Sequence, residues 1–318
     1  MRRVVPGAMA GPRAPRSRSE PGAAYPGHNP PVDTQRIPVA DGVELAADAW
    51  RPAAGVPEAA PAFVLVHGLA SNARMWDGVA ARLAARGHRA VTVDLRGHGR
   101  SSKPDGPYDV PTVADDVAEL VRAMGLDRPV VAGQSWGGNV VLELAAGHPD
   151  AARAIVCVDG GWLEPSSSFA SWEACRAALA PPRLAGLHRD DIERHVRGAH
   201  PDWPETGIAG VLANFETRPD GTIAPWLTFD RHITVLRGLW DHRPSDRYAE
   251  VSVPVLLVPA AGGEGPREAQ KRQSVEAALA ALPDARVRWF TGDHDIHAQH
   301  PDELADVMLE MVGRGDAA

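Results

Sequence analysis

The tightest constraint in this chain is a serine with a glycine two residues to either side, Gly133-Gln134-Ser135-Trp136-Gly137, followed by Gly138. The residues before it, 129–132, are apolar and strand-like, and residues 139–146 carry a helical pattern. A strand that passes into a helix within so few residues strains the serine backbone and lifts its hydroxyl above the sheet. A side chain at either flanking glycine would run into the neighbouring strand or helix, so only hydrogen fits there. The turn requires a strand feeding a helix, and Ser135 becomes the candidate nucleophile.

The rest of the chain repeats this alternation. Residues 44–50 read as an early strand. Residues 62–66, 90–93, 154–158 and 253–258 are short apolar runs of the kind buried on both faces of a sheet. Residues 287–290 suggest one more strand. Helical spacing falls at 75–85, 113–124, 268–282 and 302–312, with Gly87 and Gly125 closing the first two. Alternating strands and helices predict an α/β fold with a mostly parallel central sheet and helices on both faces. Between Asp159 and Val253 no clear strand is legible. That stretch holds Trp162, Trp172, Trp203, Trp226 and Trp240, with helical pieces near 172–179 and 190–197. It is too long for a loop in a compact domain, so it reads as an inserted, mostly helical cap. The expected organisation is a tail over 1–35, a core domain over 36–159 and 248–318, and a cap over 160–247.

Composition removes several classes of function. With 318 residues the chain can bury a substantial core, and its formal net charge of −8 argues against nucleic acid and anionic membrane as partners. The first 35 residues, rich in Pro, Gly, Ala and Arg, show no periodicity and read as disordered. Arg2-Arg3 has the basic start of a secretion signal, yet no apolar core follows, and no run is long enough to span a bilayer. A cytoplasmic enzyme is the expectation. Cys157 and Cys175 are too few for a disulfide framework, and Cys157 reads as a small buried hydrophobe. Lysine occurs only at Lys103 and Lys271, a bias towards arginine that carries no functional meaning by itself.

Taken together, these motifs resemble the α/β-hydrolase fold family over residues 37–314. His67-Gly68-Leu69 is similar to the family's oxyanion-hole loop, Asp94-Leu95-Arg96-Gly97-His98-Gly99-Arg100-Ser101 to the loop after the next strand, and Gly133–Gly138 to its nucleophile elbow. Gly292-Asp293-His294, seven residues before Pro301, resembles the histidine loop. The resemblance implies His294 as the base that activates Ser135, with His297 as second choice. It implies that the backbone N–H groups of Leu69 and Trp136 hold the oxyanion. It also exposes a departure. Most members carry an aspartate soon after the strand at 253–258, where this chain reads Pro259-Ala260-Ala261-Gly262-Gly263-Glu264-Gly265 and Gly263 occupies the expected place. Asp159, at the end of the preceding strand, is the first choice for the acid, and Glu264 is the alternative. Asp293 and Asp295 adjoin His294 too closely in sequence to orient its ring. No metal is expected, because the spacing of His294, His297 and His300 does not match a zinc pair on a helix, and no cofactor is implied. The glycines around Gly97 and Gly99 lack the Lys-Ser/Thr of a phosphate loop and read as a tight turn.

Family members with aspartate at the elbow form alkyl esters, so a serine there implies acyl chemistry. The elbow is also similar to that of proline iminopeptidases, but their glycine-rich loop is replaced by Gly68-Leu69-Ala70-Ser71. The expected activity is cofactor-independent hydrolysis of a small hydrophobic ester or lactone through an acyl-enzyme. The alternatives are carbon–carbon bond hydrolysis or acyl transfer on the same triad, and ligand binding without catalysis. The aromatic cap implies a small, apolar substrate as the partner.

Overall fold

The structure is a computed structural model and describes residues 32–313. The chain begins β1 (Val32–Pro38), β2 (Glu44–Trp50), β3 (Ala59–Val66), α1 (Asp77–Ala85), β4 (His88–Asp94), α2 (Val110–Ala123), β5 (Val130–Gln134), α3 (Trp136–Gly147) and β6 (Ala154–Val158). An insertion follows, with α4 (Pro165–Ser168), α5 (Trp172–Leu179), α6 (Arg189–Ala199), α7 (Glu205–Leu212), β7 (Phe215–Thr217), β8 (Ile223–Pro225) and α8 (Phe229–Asp241). The chain then resumes with β9 (Val255–Val258), β10 (Ala260–Ala261), α9 (Pro266–Ala281), β11 (Ala285–Val287), β12 (Phe290–Thr291), α10 (Ile296–Gln299) and α11 (Pro301–Leu309).

Eight strands form one sheet in the order β1-β2-β4-β3-β5-β6-β9-β11. Both pairings of β2, with β1 and with β4, are antiparallel, and the remaining pairs are parallel. This is the α/β layering expected from the alternation. One face packs against α2, α3 and α9 through Val113, Val117, Leu120, Val140, Leu144 and Val275. The other packs against α1 and α11 through Trp76, Val79, Leu83, Leu304 and Met308. No described helix is long and apolar enough to cross a membrane.

Three differences from the sequence reading have physical causes. The expected tail over 1–35 is too long by at least four residues, because Val32–Gln35 belong to β1; residues 1–31 lie outside the described part. β1 is an edge strand, exposed over Val32–Thr34, and is held by backbone pairing with β2 (Val32 opposite Trp50), so no apolar pattern announces it. Among the described residues the insertion contains a short antiparallel hairpin, β7–β8, where no strand was legible. The strand expected at 287–290 breaks in two: β11 extends the main sheet, whereas β12 pairs with β10.

The loop after β4 is fastened by charge. Gly97 (φ 81°) and Gly99 (φ 42°) make the tight turn, and a Cβ on Gly99 would strike the Asp94 carboxylate. That carboxylate accepts from the amides of Ala73 and Arg100 and from the Arg100 guanidinium, which also grips Asp48. Arg96 is buried and forks onto buried Asp116 of α2 at 2.5 and 2.6 Å. Removing one partner of such a pair leaves a buried charge alone. Arg96→Met is therefore expected to cost about 3–5 kcal/mol in chemical denaturation. Arg96→Met combined with Asp116→Leu should recover more than half of that loss. A single variant as stable as the wild type would show that the pair does not hold the loop.

Candidate active site

Three neighbouring strands end at one level and supply most of the site. β3 pairs with β5 (Val66 opposite Gly133), and β5 with β6 (Gln134 opposite Val158). Their carboxyl ends therefore deliver the Gly68-Leu69 loop, Ser135 and Asp159 side by side. The connections turn outward in opposite directions from β3 and β5, and at that switch point an α/β sheet opens a crevice.

Ser135 has φ 55° and ψ −121°, a strained conformation for a residue with a side chain. Its amide still pairs with the Val158 carbonyl at 2.8 Å, and its own carbonyl accepts from Gly138. A Cβ on Gly133 would collide with the Gly137 carbonyl, and one on Gly160 with that of Ser135. The elbow is closed by backbone packed on backbone. Trp136 is the first residue of α3, so its N–H has no helical acceptor and stays available to an anion. Its indole is buried and stacks on His98 at 5.5 Å.

The Gly68-Leu69 loop is pinned by His67. Its Nδ1–H donates to the Gly68 carbonyl at 2.7 Å, and its Nε2 accepts the Leu95 amide at 3.0 Å. Burial holds the ring well below its ordinary pKa, in the neutral state this arrangement requires. Leu69 faces the same cavity as Ser135, Trp136 and His294.

His294 and Asp159 meet. The Nδ1 of His294 lies 2.6 Å from Asp159 Oδ2, and 52% of the histidine side chain remains exposed. No hydrogen bond to the opposite ring nitrogen is found among the described residues, and His294 lines the same cavity as Ser135. Asp159 itself is buried with φ 41°. β12 brings the histidine loop there, since it pairs with β10, whose Ala260 amide donates to Asp159 Oδ1 at 3.1 Å. Burial alone would raise the Asp159 pKa, but the hydrogen bond and charge of His294 and the charge of Lys271 outweigh it and hold the carboxyl below its ordinary value. For His294, burial lowers the pKa, and the hydrogen bond and charge of Asp159 reverse this into a net rise.

The remaining candidates lie apart. Glu264 is exposed in the loop after β10, and Gly263 stands in open space. His297 is fully buried against Trp76, neither ring nitrogen has a hydrogen-bond partner, and burial pushes its pKa down to about 3. Burial does the same to His98, also to about 3. Among the described residues no His, Cys, Asp and Glu cluster could hold a metal. Cys157 is buried, with its thiol pushed up to about 12. Two supporting side chains escaped the sequence reading. Gln134, inside the elbow motif, donates to the His294 carbonyl at 3.2 Å. Lys271 reaches Asp159 from α9.

Ser135 and His294 open onto a cavity of about 350 Å3, walled by Leu163, Phe169, Leu179, Leu236 and Leu239 of the insertion. A second apolar chamber of about 380 Å3 shares His232 with it and is lined by Phe215, Trp226 and Phe229. Trp226 thus faces a chamber, while Trp172 and Trp240 pack edge-on against each other and Trp203 bonds to Asp293.

A sequence-family model for the alpha/beta hydrolase fold matches residues 61–195. The 2-(acetamidomethylene)succinate hydrolase of Mesorhizobium japonicum is 30% identical over 203 residues, 62% of this chain and 69% of that protein. The chain belongs to the α/β-hydrolase fold family. A putative carbamate hydrolase of Azorhizobium caulinodans is 27% identical over 259 residues, 80% of this chain and 91% of the relative. The crystal structure of E-2-(acetamidomethylene)succinate hydrolase superposes with a TM-score of 0.70 at 22% identity, covering 88% of this chain and 99% of that one. The named activities among these α/β-hydrolase relatives are hydrolytic.

The two candidate acids separate experimentally. Asp159→Asn should lower kcat by about 10^4-fold with the fold retained, because the amide favours the wrong histidine tautomer. Glu264→Gln should match the wild type. The reverse pattern would move the acid to the loop after β10.

Proposed function

We propose that this chain is a cofactor-independent serine hydrolase of small, neutral, hydrophobic carboxylic esters or lactones, acting through an acyl-enzyme. The observation that carries the reading is the 2.6 Å contact of His294 Nδ1 with Asp159, made at the edge of the cavity that Ser135 lines. In this reading His294 Nε2 takes the Ser135 proton as Oγ attacks the carbonyl carbon. The amides of Leu69 and Trp136 receive the oxyanion. The C–O bond to the leaving alcohol then breaks, and that oxygen takes the proton from His294. Water, deprotonated by the same imidazole, repeats the sequence on the acyl-enzyme and releases the acid.

The cavity supports the substrate class. Its walls carry five leucines and Phe169; among the described residues that line it, Glu164 is the one carboxylate and none is Lys or Arg. Burying an unpaired anion there would be costly, which disfavours the dicarboxylate that gives the Mesorhizobium relative its name. The insertion acts as a cap that supplies these walls, and the chamber beyond His232, mostly apolar but with Arg183 and Arg218 in its lining, offers room for a further part of the substrate.

Intact-mass labelling with a fluorophosphonate is the direct test. A single adduct is expected on the wild type and none on Ser135→Ala, whose turnover of 4-nitrophenyl butyrate should fall by about 10^4-fold or more. A folded wild type that takes no adduct would overturn the reading in favour of ligand binding without catalysis. Labelling accompanied by turnover of a diketone or an acyl thioester, with simple esters untouched, would replace ester hydrolysis by carbon–carbon cleavage or acyl transfer.

A further inference from the structure

Asp159 has a second cationic partner that the triad does not require. The ammonium of Lys271, on α9, lies 3.1 Å from Oδ2 and 3.0 Å from Oδ1 of Asp159, and donates to the Ala260 carbonyl at 2.9 Å. A lysine has three N–H donors, and here three oxygens surround it. The same Ala260 gives its amide to Asp159 Oδ1, so Lys271, Asp159 and the start of β10 form one closed set of hydrogen bonds. The side chain is 27% exposed, so solvent screens this charge only in part. The chain holds two lysines against thirty-one arginines. At this position a compact ammonium meets three converging acceptors that a planar guanidinium would match poorly.

We propose that Lys271 is a positioning residue of the catalytic site, fixing the rotamer of the Asp159 carboxylate and balancing its charge so that His294 serves as a base over a wider pH range. The inference rests on the reading of Ser135, His294 and Asp159 as a triad. A buried carboxylate facing an imidazole stabilises the imidazolium, and an over-stabilised imidazolium is a poor base at neutral pH. Lys271 opposes that effect. The charged groups that face His294 are Asp159 from the end of β6, Lys271 from α9 and Asp295 from its own loop. Asp293, on the same loop, is turned away to Trp203 and His200. The two carboxylates raise the histidine's affinity for protons, and Lys271 is the cation set against them. The sign follows: removing the lysine charge raises the His294 pKa, so the base becomes active only at higher pH.

The decisive measurement is the titration of the His294 ring by 13C–1H NMR, its resonance identified by its loss in His294→Gln. This readout needs no substrate, so failure of the ester-hydrolase reading and failure of this proposal remain distinguishable. Lys271→Met and Lys271→Gln should each move the midpoint up by about one pH unit. The acid limb of fluorophosphonate acylation should move with it. Lys271→Arg should keep a midpoint near that of the wild type but acylate more slowly, because it retains charge without the three-oxygen fit. If the neutral variants do not fold, cyanate carbamylation of folded Lys103→Arg protein neutralises Lys271 as the remaining lysine side chain, with the same upward shift expected. A purely structural role would lower the Tm and leave the midpoint in place. An unmoved or lowered midpoint in any folded, neutralised form overturns the proposal.

Discussion

Parallel pairing of β3, β5 and β6 is the constraint on which the site depends. Backbone register brings Val66, Gly133, Gln134 and Val158 level, and the residues just beyond them become neighbours without further instruction. The cost is crowding. Three loops leave one edge of the sheet within a few ångströms, and they fit because glycine backbone stands where side chains would clash. The strain at Ser135 follows from the same crowding, and it is held by hydrogen bonds on both sides of the residue.

Legibility in the sequence followed how local each feature is. Ser135, the elbow and the main strands are encoded over a few residues, by apolar runs and glycines whose spacing has one good structural solution. The choice between Asp159 and Glu264 is not local. It depends on β12 pairing with β10 and so placing His294 over the end of β6, a contact across 135 residues. Reading each position gave two candidates, and only the strand order separates them. Lys271 left still less trace. It lies on an exposed helix among other charged residues, and its rarity in an arginine-rich chain was the sole local signal. β1 and the β7–β8 hairpin were missed because backbone pairing holds them, and their side chains show no clear alternation.

The histidines illustrate how burial sorts one residue type into different tasks. His67 is neutral and wired into two backbone groups, which makes it a bracket for the loop that carries Leu69. His297, three residues from the proposed base, is sealed under Trp76 and has no partner to share a proton with. His294 combines a carboxylate on one nitrogen with a half-exposed ring that lines the cavity of Ser135. Sequence proximity puts His294 and His297 on equal terms, and the turn of α10 separates them.

The histidine loop is also tied to the insertion. Asp293 accepts from the Trp203 indole at 3.1 Å, and Gln299 donates to Asp202 at 2.8 Å while accepting the Asp293 amide. These anchors come from the segment joining α6 to α7, and they flank His294 directly. Any rigid displacement of that helical pair pulls on the backbone that carries the imidazole. The loop that carries the imidazole is therefore anchored on two sides, to the sheet through β12 and to the insertion through Trp203 and Asp202, and its place depends on both.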